Sequence, residues 1–275
     1  NSIMGDNEIF ARVSGDRFVI LNKYGLDFQE AEDLLFSLVD KISAIPPLSS
    51  SRMRIEVHAG VFIIDDSSEL NINAMMDRAI IALKSINRSD TSIAVYDDEL
   101  ITDQLEKQEI EQKMDKALMN GEFHVYVQPK YKTSDRALVA GEALIRWHDP
   151  EKGLIPPIQF IPLFEANRFI YNIDRYVLEV VCRFLRRRIN ENKDIVPISL
   201  NVSPVEIMIP GFIESYTSIK NKYEIPNGYI ELEFTEGVFF ENQVYFKEVI
   251  VELKSAGFSC SLDDFGSGYS SLNVL

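Results

Sequence analysis

A chain of 275 residues with 46% apolar and 26% charged residues can bury one large core or two of medium size, which excludes the disordered and fibrous classes. Its formal charge of -15, from 43 acidic against 28 basic residues, repels DNA, RNA and anionic lipid surfaces. No nucleic-acid partner is expected, and an anionic substrate would need local help, usually divalent ions held by clustered carboxylates.

The cysteines, Cys182 and Cys260, have neither disulfide nor zinc spacing, which points to a reducing cytoplasm. Apolar runs such as Ala59 to Ile64 fall far short of the ~18 residues a spanning helix needs, and no signal peptide opens the chain. Any membrane tether is expected outside these residues.

In chain order, Ile9 to Val13 and Phe18 to Leu21 read as strands joined by the turn sequence Ser14-Gly15-Asp16-Arg17, a hairpin. Phe28 to Ile45 has apolar residues at helical spacing and stops at Pro46-Pro47; a Ser-rich loop then leads to a strand over Ile55 to Ile64. Met75 to Ile86 is an amphipathic helix. This order predicts an α+β sandwich.

Tyr96 to Gly121 is acidic and polar, with Leu100, Leu105, Ile110, Met114 and Leu118 at helical spacing, and reads as a connecting helix. A boundary near Gln104 divides the chain into domains of residues 1–103 and 104–275. Beyond it strands are expected at Phe123 to Tyr131, Ala137 to Trp147, Val196 to Val202, Tyr229 to Phe234 and Phe258 to Asp263. Helices at Ile158 to Ala166, Asp174 to Ile189, Phe212 to Lys222 and Gln243 to Ala256 fill the gaps. The alternation predicts an α/β unit with a parallel sheet or a barrel.

Four successive strand-like runs of this second part end in hard-cation ligands: Glu142, Asn201, Glu233 and the pair Asp263 and Asp264. In a barrel the C-terminal strand ends converge on one rim, where active sites are built. Carboxylates gathered there repel one another unless Mg²⁺, Mn²⁺ or Ca²⁺ lies between them, and adjacent aspartates suit a two-metal site for phosphodiester hydrolysis. An isolated acid at a strand end is usually a helix cap or solvated, but the recurrence on four strands argues against that. Arg146 lies four residues after Glu142, on the same strand face, placed to meet a phosphate.

Here a resemblance becomes specific. Gly141-Glu142-Ala143-Leu144-Ile145-Arg146-Trp147 resembles the signature of the EAL phosphodiesterase family. Tyr126-Val127-Gln128-Pro129, Leu200-Asn201-Val202-Ser203, Glu231-Leu232-Glu233-Phe234-Thr235-Glu236 and Asp263-Asp264-Phe265-Gly266-Ser267-Gly268-Tyr269-Ser270-Ser271-Leu272 are similar to its other motifs, in order. The resemblance implies a modified (β/α)8 barrel in which Glu142, Asn201, Glu233 and Asp263 bind Mg²⁺ or Mn²⁺ and Asp264 contacts a second ion. It also implies that Gln128 and Arg146 hold cyclic di-GMP, that Glu142, Asp263 and Asp264 are catalytic, and that the product is linear pGpG.

The first part resembles the second half of a GGDEF diguanylate cyclase domain, with Arg12-Val13-Ser14-Gly15-Asp16-Arg17-Phe18 at the signature hairpin. Ser14 replaces the first glycine and Arg17 the metal-assisting glutamate; a guanidinium stays protonated and only donates, so cyclase activity should be lost. The family's inhibitory Arg-x-x-Asp would fall on Gly5 and Glu8, so product inhibition there is not expected. The resemblance implies a regulatory domain that still binds GTP, and a homodimer.

Against the family patterns both domains are expected to be partial: a truncated GGDEF-type sandwich, then an incomplete barrel whose downstream catalytic lysine and glutamate lie past Leu275. Such a piece is expected to fold poorly alone. Three readings compete: an active phosphodiesterase; a non-catalytic cyclic di-GMP receptor or scaffold; and an Mg²⁺-dependent barrel enzyme acting on a phosphorylated metabolite.

Overall fold

The computed structural model describes residues 8–22, 33, 36–37, 57–64, 71–86, 93–235 and 243–263. By its internal contacts the chain divides into two compact units, Asn1–Glu106 and Lys107–Leu275. Most of the expected helix from Phe28 to Ile45, the loop after it and the start of the next strand lie outside the described residues.

In the first unit β1 (Glu8–Ser14) and β2 (Arg17–Asn22) form the expected antiparallel hairpin. Gly15 makes its turn at φ +49°, a conformation glycine adopts without a Cβ clash, and the Arg12 Nε and Nη2 groups donate to Gly15 O at 2.8 and 2.6 Å. β3 (Ala59–Val61) pairs in parallel with β4 (Ile93–Val95), and α1 (Ile72–Ser85) connects them. Asn71 caps α1, its Oδ1 accepting the N–H groups of Asn73 and Ala74 at 3.0 and 3.3 Å. The helix lies so close to β3 that a Cβ at Gly60 would stand 2.0 Å from Ala79 O.

α2 (Asp98–Asn120) leads into the second unit, where Ile110 and Ala117, seven residues apart on one face, enter the core. The strands β5 (Phe123–Tyr131), β6 (Leu138–Asp149), β7 (Gly153–Ile155), β8 (Ile198–Val202), β9 (Ile230–Thr235) and β10 (Ser259–Asp263) form one six-stranded sheet. Its order is β10-β9-β8-β6-β5, with β7 on β6. The helices α3 (Pro157–Ala166), α4 (Ile170–Asn190), α5 (Pro204–Ile207), α6 (Phe212–Lys222) and α7 (Gln243–Ser255) alternate with the later strands.

The sheet is mixed rather than parallel. β6, β8, β9 and β10 run in parallel, but β5 and β6 are joined over 132–137 without a helix and pair antiparallel. So short a link reverses the chain and cannot carry a parallel crossover. β6 also exceeds its expected span, because its end pairs with β7 through Trp147↔Ile155, His148↔Leu154 and Asp149↔Gly153.

The pleat separates two chemistries. One face, formed by Phe123 and Trp147, by Ile198, Leu200 and Val202, and by Ile230, Leu232 and Phe234, is buried among the core residues. Here Phe123, Trp147, Phe160, Phe164 and Phe169 form an aromatic cluster with neighbouring ring centroids 5.0 to 6.2 Å apart. The Trp147 indole N–H donates to Glu122 Oε2 at 3.0 Å, satisfying its one polar atom. α4 packs through Ile170, Ile173, Val177, Leu178, Val181 and Leu185, a 3.6-residue stripe in which each burial contributes about 1.5–3 kcal/mol. The other face carries the polar residues.

Candidate functional site

Strand register places the polar residues. Gln128 is directly opposite Glu142; Glu142 pairs with Ser199; Asn201 pairs with Glu233; Glu233 pairs with Ser261; and Asp263 pairs with Thr235. Paired residues share a face, so Gln128, Glu142, Ser199, Asn201, Glu233 and Asp263 all lie on the face opposite the aromatic cluster. Gly141 helps the strands approach: a Cβ there would stand 2.6 Å from Val127 Cγ1.

At the centre is Lys130, two residues beyond Gln128 and so on the same face of β5. Its ammonium donates to Glu233 Oε1 at 2.7 Å and to Ser199 Oγ at 2.9 Å, and lies 4.0 Å from Glu142 Oε2. Asn201 Nδ2 donates to Glu142 Oε1 at 3.3 Å, linking β8 to β6. Ser199 is fully buried, its hydroxyl donating to Gly141 O at 3.4 Å. Burial pulls the Lys130 ammonium down, but the carboxylates of Glu233, Glu142 and Glu231 outweigh it and hold its pKa above the ordinary lysine value.

The structure thus brings together Glu142, Asn201 and Glu233, with Gln128 alongside. Glu142 is not at a strand end: β6 continues past it to Asp149 because of its antiparallel partners. Asp263 closes β10 one pleat further along the face, and Asp264 lies outside the described residues. Arg146 sits opposite His124, its Nη1 donating to Ile145 O at 2.7 Å. Lys130 and Ser199 were not singled out from sequence, though the two-residue step from Gln128 to Lys130 was the available signal.

Among the described residues no three carboxylate, imidazole or thiolate side chains come close enough to cage an ion by themselves. Two carboxylates and an amide do converge, and the carboxylates already share one positive charge, the Lys130 ammonium within 4.0 Å of both. This hard oxygen-donor set fits a divalent ion of the Mg²⁺ or Mn²⁺ type.

A mixed sheet with helices between its parallel strands and an oxygen-donor cluster on the face opposite its aromatic core defines a β/α domain with a polar site on its sheet. The chain belongs to the EAL-domain family, which it matches over residues 111–275. Among curated relatives it is 27% identical over 278 residues to the signaling protein YkoW of Bacillus subtilis, spanning 100% of this chain and 34% of that protein. It is 28% identical over 272 residues to the bifunctional diguanylate cyclase/cyclic di-GMP phosphodiesterase MucR of Pseudomonas aeruginosa, spanning 98% of this chain and 39% of that protein. The chain therefore spans little more than a third of these relatives' length.

Among solved structures, the PaMucR phosphodiesterase in complex with c-di-GMP superposes with a TM-score of 0.57 at 29% identity, over 60% of this chain and 67% of that one. The EAL enzyme Bd1971 in its cGMP-bound form superposes at 0.56 and 25% identity, over 63% of this chain and 49% of that one. EAL-domain structures of this kind have a TIM-like barrel fold. None of the described helices is long and apolar enough to cross a membrane.

Proposed function

We propose that the protein to which this chain belongs hydrolyses cyclic di-GMP to linear pGpG, using two Mg²⁺ or Mn²⁺ ions at the face that carries Glu142. The observation that carries this reading is that Glu142 on β6 and Glu233 on β9, with β8 between them, converge on one cation within 4.0 Å of both. Family membership and the likeness to a phosphodiesterase complexed with c-di-GMP support the substrate.

In this reading Glu142, Asn201, Glu233, Asp263 and Asp264 hold the ions. When bound, the ions supply an activated water and neutralise charge on the phosphate. Gln128, opposite Glu142, binds the dinucleotide beside them. Arg146 exchanges its bond to Ile145 O for a phosphate oxygen, a stronger charge-assisted pairing. From β8, Asn201 holds the Glu142 carboxylate and Ser199 holds the Lys130 ammonium beside it.

The region before residue 104 serves as a degenerate, regulatory GGDEF-type domain, because Arg17 at the start of β2 cannot ligate a cation. The test is conversion of cyclic di-GMP to pGpG by the full-length protein with Mg²⁺ or Mn²⁺. Turnover should vanish in excess chelator and fall with Ca²⁺, whose larger, looser coordination suits the site poorly. Undiminished turnover in chelator would overturn the reading, and tight binding without turnover would make the protein a receptor.

A further inference from the structure

Where the chain leaves β8, two residues after Asn201, carboxyl groups from three helices close on the turn. The Ser203 N–H donates to Asp174 Oδ2 of α4 at 3.1 Å, and the Ser203 hydroxyl donates to Glu165 Oε1 of α3 at 2.8 Å. The same hydroxyl accepts Val205 N–H at 3.4 Å, capping α5, which contributes Glu206. Glu206 is fully buried, and its Oε2 accepts the Tyr216 hydroxyl of α6 at 2.6 Å.

Glu206 Oε1 is buried without a donor from any N–H or hydroxyl. The carboxyl groups of Glu206 and Asp174 lie within hydrogen-bonding reach of each other. Asp174 keeps some exposed surface as a residue, yet burial is the largest influence on its carboxyl. Two ionised carboxylates in contact out of water would repel with nothing between them, whereas one shared proton turns the contact into a strong hydrogen bond. The other charged or titratable groups facing the pair are Glu165 of α3, Arg175 of α4 and Tyr216 of α6, with Tyr171 of α4 beside Tyr216 and Arg175. Arg175 turns toward Tyr171, Nη1 donating to its hydroxyl oxygen at 3.1 Å, and attracts the pair only through its field.

We propose that Asp174 and Glu206 share a single proton, carried on Glu206 Oε1 and donated to Asp174, and that this bond positions the Ser203 turn and with it Asn201. No covalent step is involved; the proton moves only when the pair ionises. Burial and the neighbouring Asp174 charge push Glu206 up to about 9, and burial pushes Asp174 up to about 7, which matches a proton resting on Glu206. Both carboxyls titrate above their unfolded values, so their contribution to stability is fully present below the ordinary carboxylate range. It is lost as pH rises through about 7 and toward about 9.

The claim about Asn201 rests on the phosphodiesterase reading, but the shared proton does not, and the test reads the proton directly. Infrared spectra of the full-length protein at neutral pH should show a protonated-carboxyl C=O band that Glu206→Gln removes. The variant keeps both contacts, its amide N–H donating to Asp174 and its amide oxygen accepting the Tyr216 hydroxyl. It should fold, and the wild-type decline in melting temperature from neutral pH to about 9 should flatten in it. Mg²⁺ affinity should weaken over the same interval in the wild type and hold in the variant. If Glu206→Gln does not fold, Asp174→Asn provides the same comparisons, because its amide donates to Glu206 and the proton is no longer needed. Absence of the band from the wild type, or equal pH slopes in wild type and variant, overturns the shared proton. An intact proton with unchanged Mg²⁺ affinity overturns the positioning role alone.

Discussion

Lys130 and Glu233 form an ion pair of 2.7 Å that reaches from β5 to β9 across the two strands between them. If the ammonium and a divalent ion use the same carboxylate oxygens, they compete. Lys130→Met should tighten Mn²⁺ binding about tenfold, about 1.4 kcal/mol, in a titration of the full-length protein. The same change should cost the metal-free protein only about 0.5–1 kcal/mol, because Lys130 is partly exposed and water screens the pair. Weaker Mn²⁺ binding in the variant would show that Lys130 supports the ion instead.

Glu142→Ala and Arg146→Ala should separate two roles. Loss of a carboxylate that holds an ion should reduce turnover on the order of 10³-fold, since a Lewis-acid contribution is worth several kcal/mol, while thermal unfolding changes little. Arg146→Ala should mainly raise KM, because its partner in the proposal is a phosphate oxygen. Single-turnover hydrolysis measured beside thermal melts decides this; normal hydrolysis by folded Glu142→Ala would remove the central claim.

Trp147 is fully buried between Phe123, Phe160 and Phe164, so Trp147→Ala should cost about 3–5 kcal/mol. Denaturant unfolding should show a lowered midpoint with an unchanged slope.

Burial pushes the Cys182 thiol up to about 12 and the Cys260 thiol up to about 11, leaving little thiolate at neutral pH. Neither should react with iodoacetamide in the native protein, and both should react after unfolding. Mass spectrometry of labelled peptides checks this; rapid native labelling of Cys182 would contradict the packing of α4.

The full-length protein given GTP and Mg²⁺ should make no cyclic di-GMP, because Arg17 stands where the cyclase resemblance needs a carboxylate. Product above that of a variant lacking the hairpin would refute it.

The strands of the second unit were legible because their apolar residues alternate and their turns are marked; β5 spans Phe123 to Tyr131, as its pattern predicts. The antiparallel entry of β5 was not legible, since periodicity carries no direction, and β7 and α5 are too short to show a period. Glu142, Asn201 and Glu233 stood out as hard ligands on successive strands. Lys130 did not, because a lysine near a strand end usually points into water, and only the register reveals the carboxylates around it. The Asp174 and Glu206 contact was beyond sequence altogether, joining two helices through side chains far apart in the chain.

The register rows have a geometric consequence. Glu142 shares a row with Ser199; Asn201, two residues on, shares one with Glu233; Asp263 shares one with Thr235, two residues further on. From β6 to β10 the donors cross three strand spacings and climb four residues in two steps of two. At about 3.3 Å per residue and about 4.8 Å between strands, that is about 13 Å up for about 14 Å across, a diagonal near 43°. Strands in closed barrels tilt by about 35–45° to the axis, so a staircase of this pitch in the flattened sheet becomes a level ring once the sheet is rolled. If the sheet closes into a barrel of that tilt, the donors come level through strand stagger rather than through any one side chain. A slip of β9 by one residue against β8 would turn Glu233 toward the helices and break the ring.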